Sequence, residues 1–437
     1  MDYVLSGGSS ALLDSLDFTL KPQANYVQAR YSCTAYPTGA SSFAHDTVRT
    51  ARFQLTSGQG NFLDPETLRV AFTIVNRSGT GTDLLKPQDG PSGFFSQIRV
   101  IVGSVEAENI TYYNRVHSLL RTKLMPPDWG INEAVEGCAN VGADAGYQLA
   151  EGYVMGGDSV TVMMKPLLGI LNCGKYFPVQ HAPVTIEITL APAAEAINTQ
   201  WIPEAGFNIG ANYELQNMRI LYDSVLLDSS LSNSYTDLLL KNQSLTIPYS
   251  TYHTTYNSIV PGSTSVALSI VRACTRLKGV FITFGLERLP FIDYFAHPSG
   301  RNWWGPNGMG GDKMKDPPLT CQIQVGAMTW PIQPISSMAE FFEHLRKVCG
   351  CHDQSVKTLA ITKTSYESGS FAIGMSMERV PGANAHSGYN TRSGDLVRIQ
   401  LNGMAPLADI DHVDKAFITL WADQVLTISE QGCQVFD

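Results

Sequence analysis

The residues best suited to metal chemistry are the two cysteines and the histidine of residues 349–352, which read Cys-Gly-Cys-His. Thiolate and imidazole are the ligands that zinc prefers, and a structural zinc site takes four of them. No second Cys/His pair follows at a suitable spacing. The alternative is the end of a helix that is closed by Gly350. The sequence therefore predicts no metal site and no cofactor.

A glycine-rich run at residues 308–313 resembles a phosphate-binding loop in composition. Such a loop needs a strand before it and a helix after it, because the helix start aims backbone N–H groups at the phosphate. Neither pattern flanks this run, which is more typical of a flexible loop. The motifs GxSxG, HExxH and GxGxxG are also missing. The sequence therefore predicts no catalytic residues and a protein that is not an enzyme.

The tandem Trp303 and Trp304 are candidates for recognition, since their rings could stack on a sugar or pack against a partner. They lie in residues 293–318, a long loop pattern rich in Gly and Pro. A second long loop pattern covers residues 128–158 and carries Trp129. Loops of this size in a compact domain usually serve binding or assembly.

Charge and cysteine content exclude several classes of protein. Thirty Lys and Arg against 39 Asp and Glu leave a formal net charge of −9, with no basic run. Because phosphate neutralisation needs a clustered cationic surface, we expect no direct nucleic-acid binding by the folded body. The eight cysteines are scattered, which is not a disulfide framework. The N-terminus lacks the pattern of a signal peptide, and we expect synthesis in a cytosol-like compartment.

Short alternating stretches predict an all-β protein in two similar halves. The predicted strands of the first half cover residues 51–55, 68–74, 95–102, 160–164, 184–190 and 218–227, and those of the second half cover residues 265–271, 279–284, 321–325, 371–377, 397–401 and 416–428. Each half also contains one amphipathic helix, at residues 111–124 and at residues 337–348. Ser337 and Glu340 have the spacing of a capping box.

The stretch 213–248 reads as strand, short helix and strand, and it joins the two halves. We therefore divide the chain into an N-terminal arm (1–45), a first sandwich (46–229), a connecting helix and linker (230–243) and a second sandwich (244–437). Many short strands with turns between them favour sandwiches of the jelly-roll kind.

Four blocks, in this order, resemble the double jelly-roll major capsid proteins of the lineage shared by adenoviruses, polintons and virophages. The first is residues 89–103, which read DGPSGFFSQIRVIVG, followed by a helix from Tyr112 to Leu120. The second is 213–239. The third combines 246–249 with 276–284, and the fourth combines 366–371, 393–401 and 416–427. The size of the chain is most similar to that of polinton-like virus major capsid proteins.

The resemblance implies two consecutive eight-stranded antiparallel jelly rolls, each with a short helix in a connecting loop. It implies a major capsid protein of a DNA virus, which assembles as a pseudo-hexameric homotrimer, the hexon-like capsomer of an icosahedral virion. The implied partners are neighbouring capsomers and the penton and other minor capsid proteins. An internal membrane beneath the shell is left open.

The resemblance also suggests roles for the loops and the arm. Trp129, Trp303 and Trp304 are candidates for trimer contacts or an outward tower. Leu12, Leu13 and Phe18 of the arm are candidates for contacts with neighbouring capsomers. The competing hypothesis is a two-domain jelly-roll protein that binds or cleaves glycans. That function would need aromatic residues beside paired carboxylates, of which only the tandem Trp is found.

Overall fold

The computed structural model describes most of the chain, in the ranges 26–56, 61–124, 153–197, 208–210, 212–260, 263–270, 272–285, 319–351, 359, 361, 366, 371–379, 388–392, 397–404 and 413–437. The strands of the first half are β1 (Val27–Ala35), β2 (Ser42–Phe43), β3 (Thr50–Leu55), β4 (Phe62–Asn76), β5 (Asp83–Leu85), β6 (Phe95–Val102), β7 (Val105–Thr111), β8 (Val154–Met155), β9 (Ser159–Met164), β10 (Val184–Leu190), β11 (Asn208–Ile209) and β12 (Tyr213–Leu227). The strands of the second half are β13 (Leu245–Ser258), β14 (Ser265–Ile270), β15 (Leu277–Gly285), β16 (Thr320–Val325), β17 (Met328–Ile335), β18 (Ile373–Ser376), β19 (Val397–Asn402), β20 (Lys415–Ser429) and β21 (Gly432–Phe436).

The helices are short and lie between strands. They are α1 (Tyr113–His117), which continues as a π-helical stretch over Ser118–Lys123, α2 (Ala193–Ala196), α3 (Ser229–Leu240) and α4 (Met338–Val348). Single 3₁₀ turns occur at Pro91–Phe94 and Ile170–Asn172. Within the described residues no helix combines the length and the apolar character needed to cross a membrane.

The first half is a sandwich of two antiparallel sheets. One sheet has the strand order β1-β12-β4-β9, with β2 also paired with β12, and the other has the order β3-β10-β6-β7. Strand β10 shows why they pack: its Val, Ile and Leu residues alternate with Thr and Glu, and the apolar ones are buried. Since successive side chains of a strand point to opposite faces, this alternation gives one apolar face and one polar face. Side chains from both sheets meet in one core.

The second half repeats the two sheets of this sandwich, with eight strands in equivalent positions. Its sheets have the orders β13-β20-β15-β18, with β21 also paired with β20, and β14-β19-β16-β17. In chain order, the equivalent pairs are β1 and β13, β3 and β14, β4 and β15, β6 and β16, β7 and β17, β9 and β18, β10 and β19, and β12 and β20. The prediction of two eight-stranded antiparallel sandwiches is confirmed.

A helix follows the equivalent strands β7 and β17 in both halves, as predicted. The capping box that begins α4 is formed: the Ser337 hydroxyl accepts from the Glu340 N–H at 3.2 Å, and the Glu340 carboxylate accepts from the Ser337 N–H at 3.3 Å. A Cβ on Gly374 of β18 would lie 2.7 Å from side-chain atoms of Leu345 and Val348. Glycine at this position therefore allows α4 to pack closely on the sheet.

The structure corrects the predicted helix at residues 111–124. Thr111 is the last residue of β7, and Tyr112 has a left-handed backbone with φ of 52°, so α1 begins at Tyr113. The buried residues of this helical segment include Val116 and Leu119. Strand β7 itself was missed, because its sequence VEAENIT contains two Glu and an Asn and lacks an apolar alternation.

The structure also corrects the start of the first sandwich. Residues 27–35 of the predicted arm form β1, which pairs along its length with β12. Residues 62–65, which lie outside the predicted strands, belong to β4. Strand β1 was missed because its inward positions include Ala29, Tyr31 and Cys33, a weak apolar signal. The predicted connecting helix corresponds to α3, which begins earlier because the Asp228 carboxylate accepts from the Ser230 N–H at 3.1 Å.

Candidate assembly interface

The two sandwiches meet at strand β7. This strand forms the edge of its own sheet, and its outer side is covered by β13 and β21 of the second sandwich. Ala107, Glu108 and Ile110 of this strand are almost fully buried. The hydroxyl of Tyr249 on β13 donates to the carbonyl of Ala107 and lies 3.0 Å from Oε1 of Gln424. An edge that would otherwise present unpaired backbone groups is thus closed within one chain.

The carboxyl of Glu108 is enclosed at this contact. Its Oε1 accepts from the Gly169 N–H at 2.9 Å, and its Oε2 accepts from the Ile170 N–H at 3.1 Å. Burial raises the pKa of Glu108 to about 7, although these two hydrogen bonds favour the charged form. A Cβ on Gly169 would lie only 1.6 Å from the carbonyl oxygen of Ser250 on β13. The two sandwiches therefore approach at backbone distance.

Aromatic contacts extend the junction along α1. The Thr111 hydroxyl donates to the Thr254 carbonyl at 2.9 Å. The ring of Tyr112 lies 5.4 Å from that of Phe417 on β20, with an edge-to-face arrangement. The guanidinium of Arg115 stands 3.9 Å above the centre of the Phe417 ring, which is a favourable cation–π geometry. The left-handed backbone at Tyr112 therefore places its ring in this contact.

The apolar cores also cross the junction. Four residues of the second sandwich belong to the core of the first: Ile247, Tyr249, Leu426 and Ile428. In the opposite direction, Leu119 and Leu124 after α1 belong to the core of the second sandwich. Because each core is completed by the other half, we infer that the two sandwiches form one unit. The contact resembles an obligate interface in its apolar character.

Strand β17, which is equivalent to β7, is bare. Its sequence is MTWPIQPI, and Met328, Trp330 and Ile332 are exposed by 56%, 47% and 85%. Among the described strands it pairs with β16 alone, on one side, and this pairing is interrupted between Trp330 and Ile335. In this bulge the Gln322 amide donates to the Pro331 carbonyl at 2.9 Å and to the Ile332 carbonyl at 3.1 Å. Ile332 is thus held in a projecting position.

The cysteines at residues 349 and 351 lie at the end of α4. Cys349 is the C-cap of α4, and Gly350 has φ of 68°, so the predicted helix end is confirmed. Burial raises the pKa of Cys274 to about 11 and that of Cys349 to about 12, which keeps these thiols protonated. In the part of the chain that the structure describes, no group of three or more His, Cys, Asp and Glu is arranged to hold a metal ion.

The sequence-based candidates lie outside the described residues. They are Trp129, Trp303 and Trp304 of the two long loops and Leu12, Leu13 and Phe18 of the arm. Sequence reasoning missed both equivalent edges, β7 and β17. The signal for β17 was the run Trp-Pro-Ile-Gln-Pro-Ile of residues 330–335, an apolar stretch whose prolines are compatible only with an edge strand or a bulge.

Comparisons with known proteins give a match in structure only. No family model matches the sequence, and no curated protein matches it. Among solved structures, VP54 of PBCV-1, fitted into a reconstruction of the virophage Sputnik, has a TM-score of 0.62 at 13% identity, over 96% of this chain and 100% of that one. The Faustovirus major capsid protein has a TM-score of 0.61 at 9% identity, over 96% and 93%. The mavirus major capsid protein has a TM-score of 0.52 at 10% identity, over 97% and 93%.

The chain is a double jelly roll. The strand orders of the two sandwiches, the helix after β7 and after β17, and likeness along nearly the whole chain agree on this fold. The predicted fold class is therefore confirmed. At identities of 9% to 13%, the likeness describes the fold, and function has to be argued from the surfaces of this chain.

Proposed function

We propose that this chain is a major capsid protein that self-assembles as pseudo-hexameric homotrimeric capsomers, which tile an icosahedral virus shell. One observation carries the proposal: two equivalent sandwiches lie in one chain, one equivalent edge (β7) is covered by the other sandwich, and the other edge (β17) is bare. The likeness to capsid proteins of PBCV-1, Faustovirus and mavirus supports it.

The geometry suits a closed ring. A chain with one covered edge and one bare edge can use the same kind of contact again with another copy, which is a heterologous interface. Three copies would bring six similar sandwiches together, and the ring would leave no β17 edge uncovered. Interfaces of this obligate kind bury on the order of 2,000 to 5,000 Å² in total, which the bare apolar strand would help to supply.

The proposal includes further partners and a location. Neighbouring capsomers, the penton and other minor capsid proteins would surround each trimer in the virion. We assign contacts with neighbouring capsomers to Leu12, Leu13 and Phe18, and trimer contacts or an outward tower to Trp129, Trp303 and Trp304. These assignments rest on the resemblance to polinton-like virus capsid proteins. The net charge of −9 leaves genome contacts to other proteins.

The proposed role is structural and not catalytic, since the PBCV-1, Faustovirus and mavirus proteins to which the chain is similar in structure are capsid proteins. The test is the mass of the purified chain in solution, measured by light scattering after size exclusion. We expect three times the mass of one chain at micromolar concentration, and electron microscopy of assembled particles should show pseudo-hexagonal tiles. A stable monomer would overturn the proposal, and a monomer that binds oligosaccharides would favour the glycan-binding alternative.

A further inference from the structure

The residues that cover β7 indicate which surface could cover the equivalent strand β17. Strand β7 is covered by β13 and β21, and the start of β13 and the end of β20 contribute Ile247, Tyr249 and Leu426 to the first core. The equivalent parts of the first sandwich are the start of β1 and the end of β12, since β1 corresponds to β13 and β12 to β20. Helix α3 follows β12 where β21 follows β20.

This end of the first sandwich carries its own apolar cluster, separate from the main cores. It consists of the buried Phe62, Val225 and Leu227, against which the partly buried Val27, Leu231 and Tyr235 pack. We call these six residues, with Tyr26, the β1–β12 end. Tyr26 is 49% exposed at its margin. The core of the first sandwich includes the equivalent residues of the second sandwich, whereas among the described residues this cluster is covered by α3.

We propose that the bulged strand β17 of one copy packs against the β1–β12 end of a second copy, by a contact equivalent to that of β7 with β13 in the same chain. The inference rests on the proposed function and assigns its trimer interface. On one side stand Met328, Trp330 and Ile332, and on the other Tyr26, Val27 and Tyr235.

Two features of β17 support contact through side chains. Pro331 and Pro334 have no backbone N–H, so this edge is poorly suited to accept another strand by hydrogen bonding. Strands β7 and β13 likewise touch without forming a ladder in the described chain. The sequence of β17 also has no charged residue, so its burial would leave no unpaired charge.

The first test is a charge on the projecting residue. Ile332→Asp should leave the fold intact, because Ile332 is 85% exposed, and should weaken trimers on the order of tenfold or more. The matched control is Val260→Asp, since Val260 is 71% exposed in the same sandwich, in the connection from β13 to β14, and β14 forms the opposite edge of the sheet that contains β17. Light scattering over a dilution series measures both, and circular dichroism checks the fold.

The outcomes separate the inference from the proposed function. A monomeric wild-type chain would contradict the proposed function and the inference with it. A trimeric wild type with equally trimeric Ile332→Asp would overturn the inference alone. Loss of trimers in Ile332→Asp but not in Val260→Asp would support the β17 side of the contact.

The second test identifies the partner surface. A photoreactive phenylalanine in place of Trp330, irradiated in the trimer, should form crosslinks to peptides that contain residues 26–31 or 229–240 of another copy. Mixing isotopically labelled and unlabelled chains before irradiation distinguishes crosslinks between copies from those within one copy. Crosslinks between copies that fall elsewhere would overturn the assignment of the β1–β12 end.

Discussion

Strands β7 and β17 occupy the same position in equivalent sheets and lie in opposite surroundings. Strand β7 reads VEAENIT, its Ala107, Glu108 and Ile110 are buried, and its outer side is covered by β13 and β21 of the second sandwich. Strand β17 reads MTWPIQPI, and its Met328 and Ile332 are exposed. The more polar of the two edges is thus the covered one, and the more apolar edge faces outward in the single chain.

This inversion indicates that a single chain leaves an apolar edge strand exposed to solvent. A polar group can be buried when each polar atom is satisfied, as the Glu108 carboxylate is by two backbone N–H groups. Exposed apolar side chains on an edge strand cannot be satisfied by hydrogen bonds in this way, and their contact with water is unfavourable. Contacts within one chain should therefore stabilise β7, whereas contacts between copies should stabilise β17. The following substitutions test this contrast.

The largest effect is expected where the covered edge meets the second sandwich at backbone distance. Gly169→Val should destabilise the fold by about 4 kcal/mol or more, because overpacking against backbone cannot be relieved by a rotamer change. The added Cβ would lie 1.6 Å from the Ser250 carbonyl oxygen. Denaturant unfolding of the purified chain measures the loss, and failure to fold would agree with it.

The control for this substitution is Gly79→Val. Gly79 is exposed, and a Cβ there would meet no atom within 4 Å. We expect a change within about 0.5 kcal/mol. Equal stabilities of the two variants would show that the sandwiches do not meet at Gly169 as closely as the structure indicates.

The second test compares the two edges with one chemical change. Ile110→Ala on β7 should cost about 3 kcal/mol, because Ile110 is fully buried and its loss leaves a cavity. Ile332→Ala on β17 should change the unfolding free energy of the dissociated chain by less than about 0.5 kcal/mol. Thermal and denaturant unfolding at low protein concentration measure both. A similar cost at both positions would mean that β17 is already covered within one chain.

Much of the fold was predictable because the strands with clear alternation lie inside the sandwiches. Strand β10 alternates apolar and polar residues, and its predicted bounds of residues 184–190 are those observed. The helix α4 was predicted because its capping box and apolar stripe are both local signals. Strand β1 was missed because its inward residues give a weak apolar signal and pairing with β12, a distant partner in sequence, decides its conformation.

The junction could not be predicted, since its signals are nonlocal. Glu108 appears in sequence as an ordinary surface carboxylate, and only the approach of Gly169 and Ile170 satisfies it. The tandem Trp303 and Trp304 were candidate contact residues because they are large and aromatic. Ile332, in a short Pro-containing run, was not a candidate. Residue type alone does not distinguish an apolar residue in a core from one on a bare edge.

The third test uses pH at the covered edge. Folding raises the pKa of Glu108 to about 7 from its ordinary value of 4.5, chiefly through burial, so the folded state binds the proton more tightly. The resulting stabilisation is complete below the unfolded-state pKa and is lost as the pH rises through the folded-state pKa. Relative to Glu108→Gln, the wild-type chain should lose about 2 kcal/mol of stability between about pH 5 and about pH 8.

The comparison isolates Glu108 because Gln cannot titrate, so the pH dependence of all other groups cancels. Tyr249 is a titratable neighbour whose pKa is raised well above its ordinary value by burial and then by Glu108, so it stays neutral over this range. Unfolding curves of both chains at several pH values give the difference. A constant difference across the range would contradict a buried, pH-sensitive carboxyl at this edge.

The smallest effect is expected from a single hydroxyl at the same edge. Tyr249→Phe removes the donor to the Ala107 carbonyl and the contact at 3.0 Å with Gln424, while the ring continues to fill the core. The cost should be about 1 kcal/mol, the net value of a buried hydrogen bond. Tyr36→Phe is the control, since Tyr36 is 69% exposed. If contacts within one chain cover β7, Tyr249→Phe should lower the unfolding free energy by the same amount at low and high protein concentration. A loss of stability that appears only in trimers would instead place Tyr249 in the contact between copies.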